Sequence, residues 1–289
     1  MMKHYFLRLL ILMSLIVFAG DVFADDSPTL TFRKNDVIVK IMNVKEIRNN
    51  TSEVVSVTVD NPTDSKIHIY EGISLTALLD QVFGEGWKMF DALKFTCQDG
   101  YQPIIPTSSI IANYALIAIA EKGQSEFNTL KRNNGETINP GPFFLVWESI
   151  KNKGAKTDPW LSWPWQITSI ELTSFVREFP NSAPPNLAST ITQKGYLAFR
   201  QHCIKCHMIN GDGGNVGPEL NYPVNVTEYW KEEWLARFIA DPKSIRPNSK
   251  MIPFYRDVDN RQAIITSIMA YLKVMANKKI ASTVPDKDK

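Results

Sequence analysis

From residue 29 to about 178 the apolar positions fall in short runs: Val37-Ile38-Val39, Val54 to Val59, Ile67-His68-Ile69-Tyr70, Leu93 to Cys97, Phe143 to Val146 and Ile167 to Leu172. Such runs, bounded by Asn, Asp, Gly and Pro, predict β-strands. One segment departs from this pattern. Leu75, Leu78, Leu79, Val82 and Phe83 recur at helical spacing, between Ser74 as a candidate N-cap and Gly84 as a stop, so a helix is expected there. The pattern changes after Phe179-Pro180-Asn181-Ser182-Ala183-Pro184-Pro185. Proline at that density removes backbone donors and predicts an extended, semi-rigid linker. Beyond it, Thr192 to His202, Glu228 to Ala240 and Arg261 to Met275 each carry an apolar face at helical spacing. The expected fold class is therefore two domains: a sheet-rich α+β domain over residues 25–178 and an all-α domain over 187–280. A linker over 179–186 joins them, and a flexible tail follows over 281–289.

The N-terminus has a different logic. Lys3 and Arg8 precede an apolar stretch over residues 9–19, interrupted only by Ser14, and Val22-Phe23-Ala24 supplies small residues where a signal peptidase reads. This predicts a secretory signal peptide over residues 1–24, cleaved after Ala24. The stretch is shorter than the roughly 20 residues of a spanning helix, and no later segment approaches about 18 consecutive apolar residues. The mature chain is expected without a membrane span, in an exported space, which in a bacterium is the periplasm.

Composition narrows the classes. A length of 289 residues suits two domains. Hydrophobic content of 44%, with 14 Gly and 17 Pro, argues against a disordered or collagen-like chain. Lys+Arg 32 against Asp+Glu 30 leaves no excess of cation to neutralise phosphates, so nucleic acid is not an expected partner. Three cysteines cannot form a closed disulfide framework, and their spacing carries more information than their number.

Cys203-Ile204-Lys205-Cys206-His207 is C-x-x-C-H, the attachment signature for haem c. Two thiols about one helical turn apart can each add to a haem vinyl group, and a histidine directly after the second sits under the iron as an axial ligand. A zinc site would need further Cys or His ligands, and none follows His207. The sixth iron ligand must come from chain long enough to wrap round the ring. Met208 is too close, and Met269 and Met275 lie on the apolar face of a helix. Met251 is the candidate, because it ends a loop punctuated by Pro242 and Pro247 and precedes Ile252-Pro253-Phe254. His202 reads as a residue at the surface or near the haem propionates.

At these residues the chain resembles the class I monohaem cytochromes c, over about residues 185–280. Gly195 and Phe199 on the first helix, and Tyr271 in Ala270-Tyr271-Leu272-Lys273, stand where that family places its crossing helices. Gly217-Pro218-Glu219-Leu220 is similar to the family's G-P-x-L. The resemblance implies that the Pro218 carbonyl accepts the proton of the axial imidazole. The family often has Met followed directly by Pro, whereas Ile252 intervenes here. The implied activity is one-electron transfer with a redox protein partner.

A second resemblance covers about residues 60–175. Tyr70-Glu71-Gly72-Ile73-Ser74-Leu75, Phe95-Thr96-Cys97-Gln98-Asp99-Gly100-Tyr101, Gly141-Pro142-Phe143-Phe144-Leu145-Val146 and Trp165 to Leu172 are similar, in order, to the molybdopterin-binding domain of the sulfite oxidase family. In catalytic members a cysteine at the place of Cys97 is the protein ligand of molybdenum. Against this, Gln98-Asp99-Gly100-Tyr101 replaces the family's basic run, and His68 is the only histidine in the block. Cys97 shares strand parity with Leu93 and Phe95, as a small buried hydrophobe would. Three functions stand open: an electron carrier whose first domain docks or scaffolds, a molybdenum-dependent oxidoreductase with the haem as relay, and a sensor or assembly protein in which the haem reports redox state. Lys151, Lys153 and Lys156 read as a solvated loop, and Trp160, Trp163 and Trp165 as core packing over a loop.

Overall fold

A computed structural model describes residues 27–50, 53–132, 135–156, 158–254 and 260–281. The expected signal peptide and the end of the tail, from residue 282, lie outside the described residues. In chain order the elements begin β1 (Thr29–Lys34), β2 (Val37–Asn43), α1 (Val44–Asn50), β3 (Val55–Asn61), β4 (Lys66–Ser74), α2 (Leu75–Phe83), β5 (Ala92–Cys97), β6 (Ile104–Pro106), α3 (Thr107–Ala112) and β7 (Ala115–Glu121). They continue with β8 (Leu130–Lys131), β9 (Thr137–Ile138), β10 (Phe144–Trp147), β11 (Ile167–Thr173), α4 (Phe175–Glu178), α5 (Thr190–His202), α6 (Val226–Tyr229), α7 (Glu232–Ala240) and α8 (Arg261–Met275).

Two sheets organise the chain. One runs β2-β1-β11-β5-β6, with β1 and β11 parallel and the other pairs antiparallel. The other runs β10-β7-β4-β3 and is antiparallel throughout. Apolar side chains of both sheets and of α2, among them Phe32, Ile73, Leu78, Phe95, Ile117 and Trp147, form one buried cluster. Val57, Val59, Tyr70, Leu116, Phe144 and Val146 build a second cluster, with β3, β4, β7 and β10 contributing to it. Strand β7 supplies both clusters and is buried on both faces, so its sequence Ala115-Leu116-Ile117-Ala118-Ile119-Ala120 shows no alternation.

The far face of the first sheet corrects the expected fold class. Helices α5–α8 do not make a distinct all-α domain of the cytochrome c kind. Their buried residues Phe199, Leu235, Ile265, Ile268 and Leu272 share one cluster with Ala92 of β5, Ile104 of β6 and Phe179. Main-chain hydrogen bonds join the same regions, from Gln102 N to Lys205 O at 2.9 Å and from Asn215 N to Gly100 O at 3.3 Å. The observed fold is a sheet-rich, mixed α/β chain with eight short α-helices among the described residues, four of them before residue 179. The physical reason is simple: helical periodicity gives a helix an apolar face but does not say what covers it. Here strands β5 and β6 help to cover it, so the helices and the sheet share a core.

The proline-rich segment is folded against the helices. Ser182 is fully buried, its carbonyl accepts from Tyr271 Oη at 2.6 Å, and its amide donates to Asp212 Oδ2 at 2.7 Å. Lys278 Nζ donates to the Ala183 carbonyl at 2.9 Å. The segment is therefore pinned at Ser182 and Ala183.

Candidate functional site

Helix α5 delivers the C-x-x-C-H segment. Ser189 caps it, its hydroxyl accepting from Thr192 N, and Thr192, Gly195, Ala198 and Phe199 form its buried face. Gly195 lets α8 approach: a Cβ there would overlap the Ser267 carbonyl oxygen and crowd Tyr271. The Phe199 and Tyr271 rings sit 5.2 Å apart at this crossing. The last helical bond runs from Cys203 N to Phe199 O at 2.9 Å, and Cys206 N and His207 N both donate to Cys203 O at 3.0 Å. The two thiols therefore flank a single turn. No disulfide joins them.

The chain then folds back on that turn. Gly214 N donates to Ile204 O and Gly217 N to Cys206 O, both at 2.8 Å, and Leu220 N to Met208 O at 3.0 Å. Glycine is required where the return is tight. A Cβ on Gly217 would fall on the His207 imidazole, and one on Gly213, at φ +121°, would meet Ile204 and the His207 carbonyl. Glu219 holds the loop by accepting from the amides of Asn210, Gly211 and Asn221 at 2.8, 3.0 and 2.9 Å. His207 Nδ1 lies 2.9 Å from the Pro218 carbonyl oxygen. A carbonyl can only accept, so the proton is on Nδ1 and the Nε2 lone pair is available. Burial holds the His207 ring below its ordinary pKa, against the opposing pull of the Pro218 carbonyl and Glu219. Burial also pushes the Cys203 thiol up to about 12 and the Cys206 thiol to about 11, while the Lys205 ammonium works the other way on both.

Met251 sits on a separate loop. Arg246 stacks over Trp230 and Phe238, 5.0 and 5.6 Å from the ring centres, and anchors the loop to α7. Met251 is half-buried between the exposed Lys250 and Ile252, and its amide donates to Ser249 Oγ at 3.2 Å. Three residues on, the buried Phe254 ring packs 4.6 Å from the His202 ring, next to Cys203. Arg261 fastens that end by donating to the Phe254 and Ala240 carbonyls. The Met251 loop thus returns to the edge of the motif. Met269 and Met275 are buried on α8. His202 is partly buried, with its pKa lowered to about 4 by burial and then by Lys205.

These residues fit a covalently held haem. Both thiols are unoxidised on one turn, an imidazole has its outer nitrogen available, and a glycine stands where any side chain would strike that ring.

Cys97 stands in a strand instead of a turn. It ends β5, pairs across to Ile167 of β11, and is buried in the apolar cluster between the sheets. Its thiol is pushed far above the ordinary range, by burial first and then by the Asp99 carboxylate and Cys206. A molybdenum ligand would be a thiolate, the form that this burial disfavours in the metal-free chain. The hairpin after Cys97 does touch the motif. Gly100, at φ +89°, has no room for a side chain against Asn215.

Two residues of the site gave no signal in the sequence. Lys205 fills a position where C-x-x-C-H accepts any residue, and Asp212 lies in a glycine-rich stretch that carries no motif. No family model matches the chain. Among the described residues no helix is long and apolar enough to cross a membrane, and no group of three or more His, Cys, Asp or Glu side chains is placed to hold a metal ion.

Proposed function

We propose that this chain is an exported electron carrier that holds one haem c through thioethers at Cys203 and Cys206. His207 Nε2 and the Met251 sulfur would hold its iron, and a second redox protein is its partner. The bound group supplies a one-electron couple. The chain's own residues do the rest. The Pro218 carbonyl keeps the proton on Nδ1 and sets the ring's orientation and basicity. Gly217 lets the main chain pass against the imidazole, and Glu219 fixes the loop that carries Pro218. Iron held by two protein ligands would serve electron transfer and would not bind a substrate.

The observation that carries this function is the pairing of His207 Nδ1 with Pro218 O beside two unpaired thiols on one turn. The local resemblance to the class I cytochromes c at these residues supports it. The sheet-rich part then serves as a scaffold or docking body, and no step is derived through molybdopterin at Cys97. Replacing Met251 by Ala in the haem-loaded chain is expected to abolish the weak sulfur-to-iron absorption band at the red end of the spectrum. Survival of that band would refute the Met251 assignment.

A further inference from the structure

The attachment chemistry uses two thiols and an imidazole and leaves Lys205 without a task. Yet the residue is only 8% exposed, and lysine is almost never so buried unless paired. Its Nζ donates to the Pro159 carbonyl at 3.1 Å and to Ser162 Oγ at 3.2 Å, both on the loop before β11. Among the described residues no carboxylate pairs with it. Lys205 also lines a cavity of about 10 Å³ with Pro159, Trp160, Ser162 and Arg200, room for a single water. Its main chain is held as well, since its carbonyl accepts from Gln102 N. The ammonium of this motif residue is thus fixed against the loop before β11, away from bulk solvent. Its field reaches Cys203, Cys206 and His202, in each case in the direction expected of a positive charge. Two other charges act on Cys206: Arg132 with Lys205, and the exposed Asp99 against it.

We propose that Lys205 is a positioning residue that sets the driving force of the site, an unneutralised ammonium that favours the reduced state. This deepens, and rests on, the haem c function proposed above. The oxidised centre carries one more positive charge than the reduced one, so a nearby cation in a poorly screened position disfavours oxidation. The electron comes from the partner protein and returns to one, and no bond or proton changes at Lys205.

The test uses the full chain matured with haem, titrated for its midpoint potential. Lys205→Met is expected to shift the reduction equilibrium about tenfold toward the oxidised form, about 59 mV downward for one electron. Lys205→Arg, which keeps the charge, should restore most of it. Ser162→Asp leaves Lys205 in place and gives it a carboxylate, so it should also lower the potential; it decides the matter if Lys205→Met does not fold. An unchanged potential in either folded charge variant overturns the proposal, as does an equal drop in Lys205→Arg, which would mark a packing effect. Intact mass separates the two levels. A wild-type chain that gains no covalent adduct refutes the haem function itself, whereas an adduct with unmoved potentials refutes only the role of Lys205.

Discussion

The Cys97 hairpin and the C-x-x-C-H turn lie against each other, yet they prepare sulfur for different ends. Cys97 faces the cluster between two sheets, with Phe95 and Ile167 in that cluster and a carboxylate nearby, all of which keep it a neutral thiol. Cys203 and Cys206 are also pushed upward by burial, but each feels the Lys205 ammonium, and the two flank a single turn. The comparison teaches that a cysteine's place in a strand or turn says little about its chemistry. Nearby charge and the backbone around it say more.

The contrast can be broken most sharply by moving the thiols. Replacing Cys203 and Cys206 together by Ala should remove covalent haem completely, while Cys97→Ala should leave it in full, both read by intact mass. An adduct that depended on Cys97 would reverse the assignment of the two sites.

Packing beneath the motif gives the next largest effect. Gly195→Ala drives a Cβ into a backbone carbonyl of α8, and should destabilise the fold by about 1–3 kcal/mol in a denaturant titration. Gly86→Ala, where a Cβ meets nothing, should be close to neutral. Equal midpoints for the two would show that the α5–α8 crossing is looser than described.

Cys97 itself supplies a smaller step. Cys97→Ser places a hydroxyl in apolar surroundings and should cost about 1–3 kcal/mol, more than the smaller deletion Cys97→Ala. A serine variant as stable as the wild type would mean that polar partners or water reach this position.

The smallest effect is a pH dependence at the junction. Asp212 is raised from 3.8 to about 6 by burial, which outweighs the stabilising hydrogen bonds from Asn181 and Ser182. A carboxyl raised on folding favours the protonated native state. Its contribution is therefore complete below its ordinary value of 3.8 and is lost as pH rises through about 6. The Tm of the wild type minus that of Asp212→Asn should fall by on the order of a few °C across that window and stay level above it. A difference that rises with pH would mean that the two amide donors win and the carboxylate is the favoured form.

Local patterns were legible in the chain and long-range partners were not. The spacing from Leu75 to Phe83 and the stop at Gly84 correspond to α2, whose C-cap glycine has φ 65°. The stripe from Arg261 to Met275 corresponds to α8. The single helix expected from Glu228 to Ala240 is instead α6 and α7, because Asn225 and Glu228 close a capping box on a short first helix and Trp230 and Lys231 are extended. Strand β7 escaped notice because burial on both faces erases alternation. The separate helical domain failed for a different reason. Ala92 and Ile104 meet Phe199 and Leu272 in one cluster across most of a hundred residues or more, and no local period encodes such a meeting. At the candidate site the Cys, His, Met and Pro positions were readable because their chemistry restricts residue type. Lys205 and Asp212 act through burial, which a sequence does not display.

The most direct measurement is peptide mass mapping of the wild-type chain made in a host that attaches haem c. The proposed function predicts a covalent haem adduct on the peptide containing Cys203, Cys206 and His207, with the Cys97 peptide unmodified. An unmodified Cys203–His207 peptide from such a host would contradict it.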